Sequence, residues 1–318
     1  MSILDWDCIA GRACWCSDTA FSGTSAWSEK IPPLSIHREK FPKQITANMK
    51  GKMGKALRAL WWIARKPVLL NRVLTDEDTW RSYVGKKYVL HEGLPVVRMD
   101  QVIRDDSCTL GPMTFLDGGS LPTDLMLLTG LAGQIRDCRY FEIGTWRGES
   151  VAAVAGKAMQ CHTLCLTDQE MRAMGMHERT IAGHRMFSGG LENVTQWRGN
   201  SRRFDFTAPG HPFDLIFIDG DHHHDVVRND TEQVFRHLVH ERSVVVWHDY
   251  GFHPDQVRFE VMAAILDGAG EKRRELIYHV AHTKCAIFTG DRLEATPAGF
   301  PAVPSEFYTL EITRNPVP

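Results

Sequence analysis

The stretch Tyr140-Phe-Glu-Ile-Gly-Thr-Trp-Arg-Gly-Glu-Ser150 decides the fold of this 318-residue chain. Its apolar start is typical of a central strand in a parallel sheet, and the small residues of 150–158 are typical of a helix packed closely on that sheet. Gly144 and Gly148 permit a sharp turn between the two elements and a close approach of the backbone to a ligand. Glu142 precedes the turn, where its carboxylate would accept hydrogen bonds from an amine or hydroxyl. The stretch therefore predicts a strand, a ligand-binding turn and a helix.

Three further apolar segments, each ending in polar residues, follow in the order that a doubly wound sheet requires. They are His162-Thr-Leu-Cys-Leu-Thr-Asp168, Phe213-Asp-Leu-Ile-Phe-Ile-Asp-Gly-Asp-His222 and Ser243-Val-Val-Val-Trp-His-Asp-Tyr250. Ligands in open α/β sheets bind outside the carboxyl ends of the strands. We therefore expect the polar ends of all these segments to lie along one edge of the sheet, where a reaction would take place.

The glycine turn does not match the sites that bind a pyrophosphate or a nucleoside triphosphate. A nicotinamide or flavin site requires G-x-G-x-x-G, whereas Thr145 and Trp146 follow Gly144 and the middle glycine is missing. A carboxylate at Glu142 would also repel the pyrophosphate. A P-loop is excluded because no G-K-[ST] follows the strand.

Taken in order, these segments resemble the class I S-adenosylmethionine-dependent methyltransferases. The matching features are E-x-G-x-x-x-G, a strand-terminal Asp, F-D-L-I-F-I-D-G-D-H and V-V-V-W-H-D-Y, and the I-D-G-D-H loop points to the small-molecule O-methyltransferase branch. The resemblance covers residues 111–290. It implies a doubly wound, seven-stranded, mostly parallel sheet of Rossmann-like type, closed by an antiparallel hairpin of residues 276–280 and 285–288.

The resemblance also assigns the residues that would bind S-adenosylmethionine. The methionine part would lie against Glu142, Gly144, Thr145 and Gly148, with Ser150 near the helix start. Trp146 would either stack near the cofactor or fill the gap between strand and helix. Asp168 would accept hydrogen bonds from the two ribose hydroxyls. Asn200 and Ser201 would lie beside the adenine, with Asn200 where the family often has an acid.

Catalysis would depend on the polar ends of the last two strands. Asp219 and Asp249 match the places where metal-dependent catechol-type methyltransferases hold a divalent cation, and their oxygens suit Mg²⁺. Asp219 would also border the cofactor. His222 lies where such enzymes place a base, and an imidazole is suited to taking a hydroxyl proton near neutral pH. His248 and Tyr250 flank a single acid, Asp249, where such enzymes have an acid followed by an amide, so a metal-free mechanism with His222 or His248 as the base stays open.

Composition excludes some classes of partner. A net charge of −2 and a pI near 6.7 give no general attraction to nucleic acid. The 8 cysteines form no disulfide framework, which fits a reduced, cytoplasmic setting. We expect a small-molecule hydroxyl compound as the substrate and leave a homo-oligomer open.

The remaining segments predict an N-terminal extension and a C-terminal tail. Residues 1–48 lack periodicity and are interpreted as a disordered tail or as an extension upstream of a later start. Residues 49–110 form a helical accessory region, 111–290 the methyltransferase domain and 291–318 a tail. Within the accessory region, 53–74 is basic and amphipathic, with Pro67 as a break. Peripheral membrane contact through this segment is one interpretation; a lid or dimer element is the one we favour.

The resulting prediction is an S-adenosylmethionine-dependent O-methyltransferase acting on a sugar or specialised metabolite, with or without assistance from Mg²⁺. The alternative is a sensor or scaffold that binds S-adenosylmethionine without turnover. The presence of Glu142, Asp168, Asp219 and Asp249 argues against a decayed site. Methylation of nucleic acid or protein is disfavoured by the charge and by the absence of an N/D-P-P-Y motif.

Overall fold

The computed structural model describes residues 52–69, 76–116, 118–299 and 302–317. The chain divides into two compact units, 1–69 and 70–318. The predicted extension at 1–48 lies outside the described residues, as do residues 70–74 of the amphipathic segment. Among the described residues, no helix has both the length and the apolar character needed to cross a bilayer.

The described part of the first unit is one helix and a short turn. Helix α1 (Lys52–Arg65) ends just before Pro67, and a 3₁₀ turn covers Pro67–Leu69. Proline has no amide hydrogen and its ring clashes with the preceding helical turn, which explains the end of α1. Trp61 and Trp62 pack edge to face, and the Arg65 guanidinium lies over the Trp61 ring.

The second unit is an α/β fold built on one large sheet. Its strands are β1 (Val96–Val97), β2 (Arg139–Ile143), β3 (Gln160–Cys165), β4 (Val194–Arg198), β5 (Leu215–Ile218), β6 (Val244–Trp247), β7 (Gly251–His253), β8 (Gln256–Val257), β9 (Ile277–Val280) and β10 (Ala286–Phe288). Its helices are α2 (Glu77–Tyr88), α3 (Pro122–Gln134), α4 (Glu149–Ala155), α5 (Asp168–Ala173), α6 (Glu178–Ala182), α7 (His224–His237), α8 (Phe259–Ala269) and α9 (Glu271–Arg274).

The sheet order confirms the predicted doubly wound fold. Its eight strands run β1-β9-β10-β6-β5-β2-β3-β4, and all neighbours from β6 to β4 are parallel. β10 runs antiparallel to β6 and β9, as the predicted closing hairpin requires. The order reverses between β2 and β5, so the ligand crevice should open there. The prediction of seven strands missed the two-residue edge strand β1, which pairs with β9.

Two hydrophobic layers cover the sheet. One face packs against α7 and α8, and Val84 of α2 joins that layer. The opposite face packs against α3 and α4. All four residues of β5 are buried, as expected for a central parallel strand covered on both faces. The central strands are therefore covered on both faces, and their polar residues lie at the strand ends.

The segment after Asp249 first forms a short antiparallel hairpin of β7 and β8, and α8 begins at Phe259. Helix α2 packs beside α8 through Asp267, which accepts hydrogen bonds from Tyr83, Tyr88 and Lys87. These polar contacts attach α2 to the same unit as the sheet.

The turn after β2 brings two strand ends into direct contact. Gly144 has φ +102, and a Cβ built on it would lie 1.9 Å from the backbone oxygen of Asp219. The amide of Asp219 in turn donates to the Ile143 oxygen at 2.7 Å. Only glycine fits this crossing, because any side chain would separate β2 from the loop after β5.

Gly144→Ala is therefore expected to destabilise the protein by at least about 2 kcal/mol, because it adds a backbone collision to a strained φ. Chemical denaturation of the full chain measures this. Gly156→Ala is the matched control: Gly156 has φ −70, and a Cβ built on it would meet nothing within 4 Å. The free energy of unfolding of Gly156→Ala should stay within about 0.5 kcal/mol of the wild-type value. Equal effects of the two substitutions would contradict this account of the turn.

Candidate active site

A cleft of about 940 Å³ opens at the carboxyl ends of the central strands, where the sheet order reverses. Nine of the predicted site residues line it: Gly144, Thr145, Trp146, Asn200, Ser201, Asp219, His222, His248 and Asp249. The structure thus brings both the glycine turn and the predicted catalytic residues to one cavity. Phe115 and Leu116, on the loop before α3, also line it and are largely exposed.

Four predicted cofactor residues do not line the cleft in this structure. Glu142, Gly148 and Ser150 lie in the strand and helix beneath the turn. A Cβ on Gly148 would lie 2.4 Å from the Ser188 hydroxyl, so this glycine serves packing between chain segments. Asp168 is the first residue of α5 and forms an ion pair with Arg198, at the end of β4. Their cofactor contacts stay predictions.

Glu142 is fully buried and only partly satisfied. Its Oε2 accepts a hydrogen bond from the Tyr140 hydroxyl at 2.6 Å, whereas its Oε1 has no partner. Burial raises the pKa of Glu142 to about 8. The repulsion of phosphate expected from the sequence needs the ionised carboxylate, and this group is largely protonated at neutral pH. An unpaired buried oxygen of this kind fits a ligand that brings a cationic donor, such as an ammonium group.

The side of the cleft near Trp146 combines apolar surface with an unpaired donor. Trp146 has φ +43 and its indole Nε1 is buried without a partner. Its ring packs edge to face on His184, with centroids 4.8 Å apart. Three methionines line the same cleft, Met171, Met174 and Met176. Thioethers pack well on flat rings, so this side suits an adenine.

On the other side, His248 lies buried between carboxylates from three elements. Its Nε2 is 3.0 Å from Asp124 Oδ2, and its Nδ1 is 3.0 Å from Asp219 Oδ1 and 3.3 Å from Asp249 Oδ2. Burial alone would lower the pKa of His248. The charge of Asp219 and the hydrogen bonds to Asp124 and Asp219 outweigh it and raise that pKa well above the usual value. His248 is therefore an imidazolium at neutral pH.

Asp124 was not predicted from the sequence, although it anchors this cluster. It is completely buried in the first turn of α3, and its oxygens accept from the backbone amides of Leu121 and Lys284, each at 2.8 Å. Burial opposes ionisation, but His248 and these amides hold the pKa of Asp124 below its usual value. The Pro122-Thr-Asp sequence indicates only a helix start, where an acid at this position commonly caps the chain.

Asp249 joins the buried cluster to the cleft. Its Oδ1 lies 2.7 Å from the Lys284 ammonium and its Oδ2 lies 3.2 Å from Nδ1 of His222. Although burial would raise the pKa of Asp249, bonding to His248 and the nearby cations hold it far below its usual value. His222 is half exposed, and its second ring nitrogen makes no hydrogen bond among the described residues. Lys284 also lines the cleft and was missed because a lone lysine between two strands gives no sequence signal.

The predicted metal position has suitable ligand atoms, but two positively charged side chains already lie there. Asp219, His248 and Asp249 offer atoms that all lie within 4.8 Å of one another. Carboxylates with an imidazole are ligands that a divalent cation accepts. However, a metal at this point would compete with the His248 proton and with the Lys284 ammonium. The donor set therefore fits a cation, while its charge is already balanced by side chains.

Part of the chain that lines the cleft is similar to a known protein domain. Residues 141–250 match the family model described as "Methyltransferase domain". No curated protein shows significant similarity to the chain. The matched range contains the glycine turn, Asp168 and the cluster from Asp219 to Asp249.

Solved structures with a similar arrangement include three methyltransferases with bound cofactor or product. The SAH-bound methyltransferase PaMTH1 of Podospora anserina is 18% identical, over 55% of this chain and 81% of that chain, with a TM-score of 0.40. The SAH complex of an O-methyltransferase from Bacillus cereus is 17% identical, over 55% of this chain and 84% of that chain, with a TM-score of 0.39. The SAM complex of TomG from Streptomyces achromogenes, an O-methyltransferase involved in tomaymycin synthesis, is 15% identical, over 68% of this chain and 99% of that chain, with a TM-score of 0.36.

The buried imidazolium predicts a specific pH dependence of stability. Because the folded pKa of His248 lies above its unfolded value, its contribution is complete below about pH 6.5 and is lost as the pH rises toward the folded value. The free energy of unfolding of wild type should therefore fall by up to about 1.4 kcal/mol per pH unit above 6.5, relative to that of a double variant with Asp124→Asn and His248→Gln. Urea denaturation between pH 6.5 and 9 measures both slopes. Parallel slopes would contradict a protonated His248.

Proposed function

We propose that this chain, as a class I S-adenosylmethionine-dependent methyltransferase, transfers the methyl group to a hydroxyl of a small molecule. The observation that supports this choice is the arrangement of His222, Asp249 and Lys284 on the cleft that also holds the glycine turn. A hydroxyl is a weak nucleophile until its proton is removed, and these three side chains provide a base and charge stabilisation.

His222 is the proposed base. The carboxylate of Asp249 lies beside its Nδ1, which favours the tautomer with the proton on Nδ1 and leaves the other nitrogen free to accept a proton. The half-exposed ring lets that nitrogen reach an acceptor hydroxyl. His248 is less suitable, since both of its nitrogens bond to carboxylates and the ring is already cationic.

Lys284 is proposed to stabilise the oxygen as its proton leaves. Its ammonium is mostly buried, and Asp249 outweighs burial to raise its pKa, so it stays charged. A fixed cation in a partly dry cleft stabilises developing negative charge more strongly than one in water. Assistance by Mg²⁺ at Asp219 and Asp249 is the alternative; a bound Mg²⁺ would likewise lower the pKa of the hydroxyl. The resident His248 and Lys284 cations favour the metal-free route.

S-adenosylmethionine is proposed to occupy the other side of the cleft. The unpaired Trp146 Nε1 on the cleft offers a donor that matches the carboxylate of a methionine moiety. The unpaired Glu142 Oε1, in the strand beneath the turn, is the proposed acceptor for its ammonium. Asn200, Ser201 and the methionines would border the adenine, and Asp168 would accept from the ribose after parting from Arg198. The sulfonium, when bound, would supply an electrophilic methyl group and leave as S-adenosylhomocysteine. His222 would take the proton that the acceptor hydroxyl loses in this transfer.

His222→Gln should reduce methyl transfer by about 100-fold or more, because it removes the base but keeps a polar side chain. The assay follows S-adenosylhomocysteine formed from phenol and sugar acceptors. His223→Gln is the matched control, since this neighbour is largely exposed and bonds to Asp221 instead. Binding of S-adenosylhomocysteine should be unchanged in both variants. Full turnover by His222→Gln would contradict the proposed base. Cofactor binding without turnover of any acceptor by wild type would favour the sensor or scaffold.

Glu142 predicts a pH dependence of cofactor binding. If its carboxylate receives the ligand ammonium, binding below pH 8 requires loss of the Glu142 proton, so affinity should fall by up to about tenfold per pH unit below that value. Calorimetry with S-adenosylhomocysteine from pH 6 to 9 measures this. Glu142→Gln should flatten that part of the curve, while titration of the ligand itself affects both proteins equally. Identical curves would show that Glu142 does not contact the ligand.

A further inference from the structure

Arg258 is a cation of the cleft that the proposed chemistry leaves unused. It lies between the β7–β8 hairpin and α8, and its backbone amide donates to the Tyr250 oxygen at 2.7 Å. It lines the same cleft as His222 and Lys284. The β7–β8 hairpin therefore places a guanidinium on the same cleft as the proposed reaction site.

The side chain of Arg258 is half buried without a counter-charge. Its Nε and Nη1 are buried and make no hydrogen bond, and the guanidinium carbon lies 4.3 Å from the centre of the Phe252 ring. By contrast, the buried Arg147 bonds to Glu149 at 3.0 Å. A guanidinium removed from water without an acceptor is costly, so such a group usually serves a ligand or a packing contact.

The acidic side chains near Arg258 are engaged elsewhere. Glu77 lies close enough for the charge of Arg258 to act on its pKa. However, Oε2 of Glu77 accepts a hydrogen bond from the amide of Phe259 at 2.7 Å. Oε1 of Glu260 accepts from the amide of His224 at 3.0 Å. Neither forms an ion pair with Arg258, and no other residue in the described ranges does so.

We infer that Arg258 binds an acidic group on the methyl acceptor, so that the substrate is a hydroxy acid. This inference rests on the proposed function, because it assigns a partner to a cation that lines the same cleft as the proposed base. A carboxylate is favoured over a phosphate. Asp219, Asp221 and Asp249 line the same cleft, and they repel a dianion more strongly than a monoanion. The acceptor would then be held at two points, its hydroxyl near His222 and its carboxylate at Arg258.

Arg258→Met tests the assignment, because it keeps an unbranched side chain of similar reach and removes the charge. Arg242→Met is the matched control at an exposed arginine. The probes are 4-hydroxybenzoate and glucuronate, with 4-hydroxybenzamide and glucose as neutral partners and inorganic phosphate as the competing anion. Each is titrated by calorimetry into the full chain saturated with S-adenosylhomocysteine, and thermal unfolding is recorded for every protein.

We expect wild type to bind at least one of the two acids about tenfold to a hundredfold more tightly than the matching neutral compound. The Arg242→Met control should show the same preference, and Arg258→Met should lose it. Thermal stability of Arg258→Met should equal or exceed that of wild type, since an uncompensated charge is removed.

The inference would be overturned if wild type showed no preference for either acid, or if Arg258→Met kept the same preference. A lower unfolding temperature for Arg258→Met would also overturn it, because it would indicate a packing role. Tighter binding of inorganic phosphate than of either acid would overturn the choice of a carboxylate. Failure to bind S-adenosylhomocysteine would instead contradict the proposed function itself, so the two failures are distinguishable.

Discussion

The buried imidazolium of His248 is the interaction on which the site depends. It joins the end of β6 to Asp219 after β5 and to Asp124 at the start of α3. A carboxylate buried without a partner would be severely destabilising, and so would an isolated imidazolium. The imidazolium and the two carboxylates compensate one another. Separation of the strand ends would therefore leave a charge either exposed to water or buried without a partner. The floor of the cleft is thereby held in one arrangement.

This network also determines which charges the cleft presents. His248 neutralises the inner acids, so Asp249 can hold Lys284 and orient His222 towards the open side. The same cations stand where a divalent metal would otherwise be needed. In the proposed reaction, the imidazole of His222 and the ammonium of Lys284 would drive deprotonation of the hydroxyl.

The side of the cleft that carries the glycine turn is built differently. There the glycine turn crosses the loop after β5 in direct contact, and the buried Glu142 and Trp146 each retain an unpaired polar atom. Unsatisfied groups in a tightly packed region reduce stability, and they persist where a ligand can satisfy them. The two halves of the cleft thus combine a charge network in which every member has an ionic partner with an incomplete set of hydrogen bonds.

The sequence by itself indicated the central parallel strands and the position of their polar ends, because these follow from local apolar runs, glycine turns and the general rule for parallel sheets. The closing hairpin was implied by the family resemblance, and the order of the strands in the sheet came from the structure. The sequence also brought Asp219, His222, His248 and Asp249 to one edge. Only the tertiary structure decided their charge states. Partners such as Asp124 and Lys284 are more than 30 residues distant from the strand ends they serve, and burial and pairing depend on those non-local contacts. For the same reason the unpaired Arg258 is recognisable only once its surroundings are known.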